Sequence, residues 1–283
     1  MEIKKISSVG IVVKPGRDDA NATAAEILKW LQERGITSAG EPISAGDIHS
    51  DNPLTLDADL IVVLGGDGTM ISTARIVGDT NVLVLGINYG SLGYLTDFRI
   101  EEMLPALEAI VAGDYEVDRR EMLDAQLWRG PEKIASGRVL NDVVINKSAL
   151  ARIIRIDARL NGLFVNTFRA DGLIVSTPTG STAYNLSAGG PIVFPSMNAI
   201  VITPICPFTL TNRPIVVPDD AEIELVLDNE NEGVVLSLDG QTGFTMAAHD
   251  RVVICKSRTT FNLVQPSNRN YFDVLRDKLK WGR

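Results

Sequence analysis

Residues 61–71 read IVVLGGDGTMI. Four branched apolar side chains suit a strand buried on both faces, and they run straight into two glycines, an aspartate, a third glycine and a threonine. Gly65, Gly66 and Gly68 permit sharp backbone angles and leave no side chain in the approach path. A helical pattern, TMISTARIV (69–77), follows at once. The free amides and dipole of a helix start favour an anion such as a phosphate. The loop lacks the lysine of a Walker A motif, and its spacing is not G-x-G-x-x-G. A carboxylate binds phosphate poorly and accepts protons well. Two readings of Asp67 therefore stand side by side: a helix cap, or a base that takes a proton from a hydroxyl attacking a seated phosphate.

Working outward, VGIVV (9–13) and NVLVLGIN (81–88) are two more uniformly apolar runs. Between and after them lie helical patterns. DANATAAEILKWLQERG (19–35) places Ala25, Ile27, Leu28 and Leu31 on one stripe and stops at Gly35. IEEMLPALEAIVAG (100–113) stops at another glycine, with Pro105 marking its first turn. Buried strands alternating with helices predict a parallel, Rossmann-like α/β domain over residues 1–112. From residue 113 to 267 the pattern changes to strands, many alternating polar and apolar, separated by turn signals such as NG, PDD and DG. That predicts an antiparallel, β-sandwich-like domain. The tail, 268–283, returns to helical spacing through Phe272, Leu275 and Leu279.

Composition narrows the function classes. The 283 residues carry 36 acids against 27 bases, a net charge of −9. That balance argues against nucleic-acid partners and against an anionic membrane surface. The only histidines are His49 and His249, too few for a His-based triad or a His-rich metal site. Cys206 and Cys255 sit in apolar runs without metal-type spacing and are expected to be buried, reduced core residues. No secretory pattern begins the chain, and no run approaches the ~18 apolar residues of a membrane span. The expectation is a cytoplasmic protein.

Three further segments bear on Asp67. LNDVVINK (140–147) sets Asn141 and Asp142 at the head of an apolar strand. RADGLIVSTPTGSTAYNLSAGGP (169–191) is dense in small polar residues, with Asp171 and Tyr184 embedded. Many small hydroxyl and amide groups close together suit a polar, nucleotide-like ligand, although Asp171 alone also reads as a turn residue. LSLDGQ (236–241) ends a strand at an acid.

Taken in order, GGDGT (65–69), NDVV (141–144), DGLIVSTPTGSTAYNLSAGGPI (171–192) and LDGQ (238–241) resemble the NAD kinase family over nearly the whole chain. GGDGT alone is shared with lipid kinases; the long serine–threonine–glycine segment is far more specific. The resemblance implies phosphorylation of the adenosine 2′-hydroxyl of NAD by ATP or polyphosphate, with Mg²⁺ arriving on the donor. It implies Asp67 as the base, with Gly68 beside the ligand and Gly65, Gly66 and Thr69 as the phosphate loop. Asn141 and Asp142 would hold base and ribose groups, and Asp171 would accept from an amide or amino group. Thr182, Ala183, Tyr184, Asn185, Leu186 and Ser187 would line the dinucleotide pocket, and Gln241 would close it. Arg152 and Arg169 would be forks for phosphate, or else solvated residues on a strand face. The family's fold has its site in a crevice between an α/β and a β-sandwich-like domain. Its C-terminal helix returns to the first domain, and its members form homotetramers or homodimers. Two alternatives stay open here: a GGDGT-type lipid kinase, and a dinucleotide-binding regulator without catalysis.

Overall fold

A computed structural model describes residues 5–48, 58–77, 81–90, 93–148, 152–228, 233–266 and 269–282; His49 lies outside them. The chain divides into two compact units, Met1–Arg119 with Phe261–Arg283, and Arg120–Thr260.

The first unit is built on β1 (Ser8–Val13), α1 (Asp18–Glu33), β2 (Thr37–Ser38), β3 (Ile43–Ser44), β4 (Leu60–Leu64), α2 (Asp67–Ala74), β5 (Leu83–Asn88), β6 (Phe98–Arg99) and α3 (Met103–Ala112). β5, β4 and β1 lie side by side and parallel, with Leu60 beside both Leu83 and Val9. Parallel strands need crossover helices, and α1 and α2 supply them. Val9, Ile11, Val13, Leu60, Val62, Leu64, Leu85 and Ile87 form one core with α1 and α3. On the alternate face, Gly86 gives way to Met70 of α2: a Cβ there would stand 2.9 Å from the Met70 sulfur. Helix α1 buries Ala20, Ala24, Ile27, Trp30 and Leu31. Ala25 is exposed, which corrects the expected stripe at that position; Ile27 and Leu31 lie on the buried face as expected, together with Ala20, Ala24 and Trp30.

The second unit contains β7 (Glu116–Arg129), β8 (Glu132–Val139), β9 (Asp142–Lys147), β10 (Ile154–Leu160), β11 (Leu163–Ala170), β12 (Gly172–Ser176), α4 (Tyr184–Ser187), β13 (Ala199–Ile205), β14 (Ile215–Pro218), β15 (Ile223–Leu227), β16 (Val234–Leu238), β17 (Thr242–Met246) and most of β18 (Arg251–Gln265). One antiparallel sheet has the order β14-β13-β12-β9-β16-β17. A second runs β11-β10-β15-β18, with β7 and β8 beyond β18. Alternate residues of both sheets, among them Val143, Ile145, Leu173, Val175, Ile156 and Leu225, meet in one core. This is the sandwich solution for sheets with one apolar face each.

Two apolar-rich stretches are each divided between two strands in the structure. ASGRVLNDVVINK divides at Leu140–Asn141 into β8 and β9, and LFVNTFRADGLIVST divides at Asp171 into β11 and β12. At each break the chain leaves one sheet and enters the other. Polar candidate residues thus sit at sheet-switching corners, where strand pairing stops.

The cysteine expectation is corrected as well. Cys206 is exposed and Cys255 only half-buried. Cys206 follows β13 with a φ of 45°, already in a turn. Cys255 points outward between Ile254 and Ser257, which are buried.

The tail belongs to the first unit. Asn262 and Leu263 of β18 pair in parallel with Leu83 and Val84 of β5. α5 (Tyr271–Leu279) is capped by Asn270, whose side chain accepts from the amides of Phe272 and Asp273. It buries Leu275, while Phe272 faces outward. Arg269 ties the helix entry to the Asp97 carbonyl and to Glu102.

Candidate functional site

In the first unit, the site begins where β4 ends. Helix α2 starts at Asp67 itself, two residues earlier than its apolar pattern suggests, and Gly66 is the N-cap. The amides of Thr69 and Met70 go to the Gly66 carbonyl rather than to the Asp67 carboxylate. The carboxylate turns instead to the 93–96 segment. The amide of Tyr94 donates to Oδ2 at 2.9 Å and that of Leu95 to Oδ1 at 3.0 Å. The Thr96 hydroxyl lies 3.4 Å from Oδ1, and Asn88 at the end of β5 donates to that hydroxyl at 3.0 Å. Gly93 closes the turn with its amide on the Thr96 carbonyl. A Cβ at Gly93 would stand 2.0 Å from Asp67 Oδ1, so only glycine fits beside the carboxylate.

The three loop glycines play unequal parts. A Cβ on Gly65 would meet the Thr69 hydroxyl at 2.3 Å, so Gly65 and buried Thr69 are packed together. Gly66 and Gly68 would accept a Cβ into open space. Gly66 has an ordinary extended backbone, φ −102° and ψ −168°. Neither packing nor strain within the chain calls for glycine there. The Tyr94 hydroxyl is pushed above its usual range by burial and then by the nearby Asp67 charge.

In the second unit, the corner between β8 and β9 is organised by Asp239. Its carboxylate accepts from the amides of Leu140, Asn141 and Asp142, at 2.9, 2.8 and 3.0 Å. Asp239 takes a left-handed φ of 53°, which turns the end of β16 towards those amides. Asp142 is 5% exposed. Burial first, and then the Asp239 charge, push its carboxyl up to about 7.

The 178–193 segment lies against this corner. A Cβ on Gly180 would strike the Asn141 carbonyl at 2.2 Å, so the short turn after Pro178 rests directly on the backbone beside Asp142. Thr177 donates to the Leu140 carbonyl at 2.6 Å. Asn185 is fully buried. Its amide donates to the carbonyls of Ser181 and Pro191, and its carbonyl accepts from Thr203 at 2.6 Å. Asn185 therefore belongs to the frame of the loop, a correction to the expected lining. The outward surface belongs to Thr182, Ala183, Leu186, Tyr184 and Ser187, the last two exposed.

Asp171 lies at the other end of the same strands. Asp142 is at the β9 end paired with Ser176, and Gly172 pairs with Asn146. The two acids are thus about 15 Å apart at ~3.3 Å per residue. Asp171 pairs with Lys147 at 3.5 Å. Ala188, just past α4, packs on Val144, Ile174 and Ile205, so α4 covers the sheet face between the two corners. Arg169 is exposed, with its guanidinium 4.9 Å from the centre of the Phe208 ring. Arg152 and Gln241 are also exposed. Among the described residues, no group of three or more His, Cys, Asp or Glu side chains gathers to hold a metal. Nor is any helix among them long and apolar enough to cross a membrane.

Of the holders of the candidate residues, only Asp239 was marked in sequence, as the acid that ends the LSLDGQ strand. Asn88, Gly93, Thr96 and the amides of Tyr94 and Leu95 fix Asp67, and Asp239 fixes the Asn141–Asp142 corner. The glycine and polar density of NYGSLGYLT (88–96), directly after a strand, was the available signal.

Comparison with known proteins places the chain in a family. Residues 48–115 match the family described as the ATP-NAD kinase N-terminal domain, and residues 140–266 the ATP-NAD kinase C-terminal domain. An NAD kinase of Geotalea daltonii is 53% identical over 92% of this chain and 93% of its own. One from Geobacter sulfurreducens is 46% identical over 98% of this chain and 99% of its own. Among solved structures, yeast NADH kinase complexed with NADH superposes with a TM-score of 0.85 at 26% identity, covering 99% of this chain and 89% of that one. An NAD kinase from Archaeoglobus fulgidus in complex with ATP gives 0.74 at 27%, covering 96% and 98%. These matches favour an NAD kinase over a GGDGT-type lipid kinase or a non-catalytic regulator, and the chain belongs to the NAD kinase family.

Proposed function

We propose that Asp67 is the base of this kinase and that the acceptor is the adenosine 2′-hydroxyl of NAD. The hydroxyl oxygen forms a bond to the γ-phosphorus of ATP, the bond to the β,γ-bridging oxygen breaks, and the proton passes to Asp67. NADP and ADP leave. The observation that carries this reading is the way Asp67 is held. The Tyr94 amide engages Oδ2 while the Leu95 amide and the Thr96 hydroxyl engage Oδ1, which fixes the carboxylate's direction and leaves acceptor capacity on Oδ2. A base so fixed needs no reorganisation when the hydroxyl arrives.

Gly66 and Gly68 support the same reading, because open space at both lets a ligand approach the α2 backbone. Gly65 and Thr69 would shape that phosphate loop from behind. In the second unit, Asn141 and Asp142 would hold base and ribose groups. Thr182, Ala183, Tyr184, Leu186 and Ser187 would line the dinucleotide, and Asp171 would take an amide at its far end. Gln241, Arg152 and Arg169 are proposed as rim contacts.

A divalent metal fits these residues as a companion of the donor. Mg²⁺ is commonly held by one or two carboxylates with substrate phosphates and water. Asp67 supplies one carboxylate beside the open loop. When bound, such an ion would neutralise charge on the donor phosphates.

We also read the chain as a cytoplasmic homo-oligomer. β11 is an edge strand exposing Leu163, Phe164 and Val165, and Phe208 and Leu210 are exposed on the loop tied to it through the Arg169 carbonyl. An apolar edge of this kind invites a partner surface. The test of function is incubation of the purified protein with Mg²⁺ and NAD, with ATP and polyphosphate in parallel. Product is read with an NADP-specific dehydrogenase. Absence of NADP with both donors contradicts the reading.

A further inference from the structure

The first unit holds a cavity of about 360 Å³ between α3 and the end of β18. That volume lies in the range of small-molecule sites. Ala106, Ala109 and Ile110 of α3 form one wall, and the buried Phe98 and Val264 another. Its polar groups are one-sided. Glu102, Asp114 and Glu116 line it, and its lining includes no Lys, Arg or His. Glu102 is engaged by Arg269 and by the Arg99 amide. Asp114 and Glu116, both exposed, therefore set the charge of the mouth. Gln265 also lines the cavity, and its Nε2 is buried without a hydrogen-bond partner. That nitrogen faces no space open to a water-sized molecule, so it is not a contact of the cavity.

The cavity shares a segment with the Asp67 turn. Phe98 lies two residues beyond Thr96, and the carbonyl of the intervening Asp97 accepts from the same Arg269 that holds Glu102. Movement of Phe98 is thus passed along a short, doubly anchored stretch to the amides that orient Asp67.

We propose that this cavity binds a small molecule with an apolar body and a cationic head, and that its occupant shifts the 93–98 segment. The apolar walls take the body, and Asp114 with Glu116 the cation. The consequence for turnover rests on the proposed role of Asp67; the binding does not. The test uses the full chain with labelled Ala and Ile methyls and labelled backbone amides. The probe is phenylalaninamide, which carries a ring and an ammonium. The N-acetylphenylalanine anion is the charge-reversed control.

Phenylalaninamide should shift the Ala106, Ala109 and Ile110 methyls saturably, with a midpoint in the millimolar range expected of a probe this small. The anion should bind at least about tenfold more weakly, as like charge at the mouth demands. The Tyr94 and Leu95 amides should move with the same midpoint. The double variant Asp114→Asn/Glu116→Gln, at two exposed positions that leave folding intact, should abolish most of the cation preference. Ala109→Trp should fill the cavity and remove binding. No saturable methyl shift, or equal affinity for the anion, overturns the site. Saturable methyl shifts with unmoved Tyr94 and Leu95 amides overturn the link to Asp67. None of these readouts depends on phosphoryl transfer, so they fail separately from the proposed function.

Discussion

Replacing Asp142 by asparagine should make the protein more stable, and by an amount that depends on pH. In the folded chain this carboxyl is buried beside Asp239, whose own charge is fixed by three backbone amides. Burial, then Asp239, raise it from 3.8 to about 7. The unfolded chain releases the proton near 3.8, whereas the folded chain keeps it to about 7. Between those values the folded state binds more protons, so wild-type stability falls as pH rises through the window and levels off above it. At about 1.4 kcal/mol per tenfold, the whole window is worth on the order of 4 kcal/mol. Asparagine keeps the shape and has no proton to lose. The stability advantage of Asp142→Asn over wild type should therefore grow by about 3 kcal/mol between pH 5 and pH 8. Urea unfolding followed at Trp128, in the same unit, measures this at constant ionic strength. An advantage that is equal at the two pH values would refute the reasoning, because Asp142 would then be ionised throughout.

Three further outcomes follow from the same geometry. Gly93→Ala drives a Cβ into Asp67 Oδ1; a displacement of about 1 Å at a reacting group should lower kcat by about 100-fold, and steady-state kinetics with KM for NAD little changed would confirm it. Asn185→Ala removes three buried hydrogen bonds at once. It should cost about 2–5 kcal/mol of stability, read by chemical denaturation, and a variant of wild-type stability would contradict the framing role. The apolar β11 edge predicts self-association. Light scattering at micromolar concentration should give a mass well above the 30.6 kDa of one chain, and a monomer mass would remove that reading.

The parallel sheet was legible because β1, β4 and β5 are apolar on both faces, and only helices on each side of a sheet produce that pattern. The α1 stripe was read correctly at Ile27 and Leu31, but Ala25, apolar in sequence, lies on the exposed face, and Trp30 was missed. The breaks at Asn141 and Asp171 were marked locally, by a strand head and a turn residue, but strand periodicity carries no mark that the chain changes sheets there. What ends β8 is a carboxylate almost a hundred residues later, Asp239, and a contact of that range leaves no local signal. Asp67 shows the same limit. Its position in a glycine loop was plain, but its choice between capping α2 and facing the 93–96 turn is made by two distant amides. Likewise Asn185 looked like a ligand group among serines and threonines, and only its burial shows that its amide serves the loop.

The most direct measurement is the turnover of Asp67→Asn. Asparagine preserves shape and keeps an oxygen to accept from Tyr94 or Leu95, so the protein should still fold and bind NAD. It cannot take a proton from the 2′-hydroxyl. Loss of a general base typically costs about 10²–10⁴-fold, or roughly 3–5 kcal/mol of barrier. The expected result is that kcat for NADP formation falls by that factor while the Kd for NAD stays near wild type, and the Tm falls only by what leaving one of the two amides without its acceptor costs, about 1–3 kcal/mol of stability. A well-folded Asp67→Asn protein with kcat within a few-fold of wild type would contradict it.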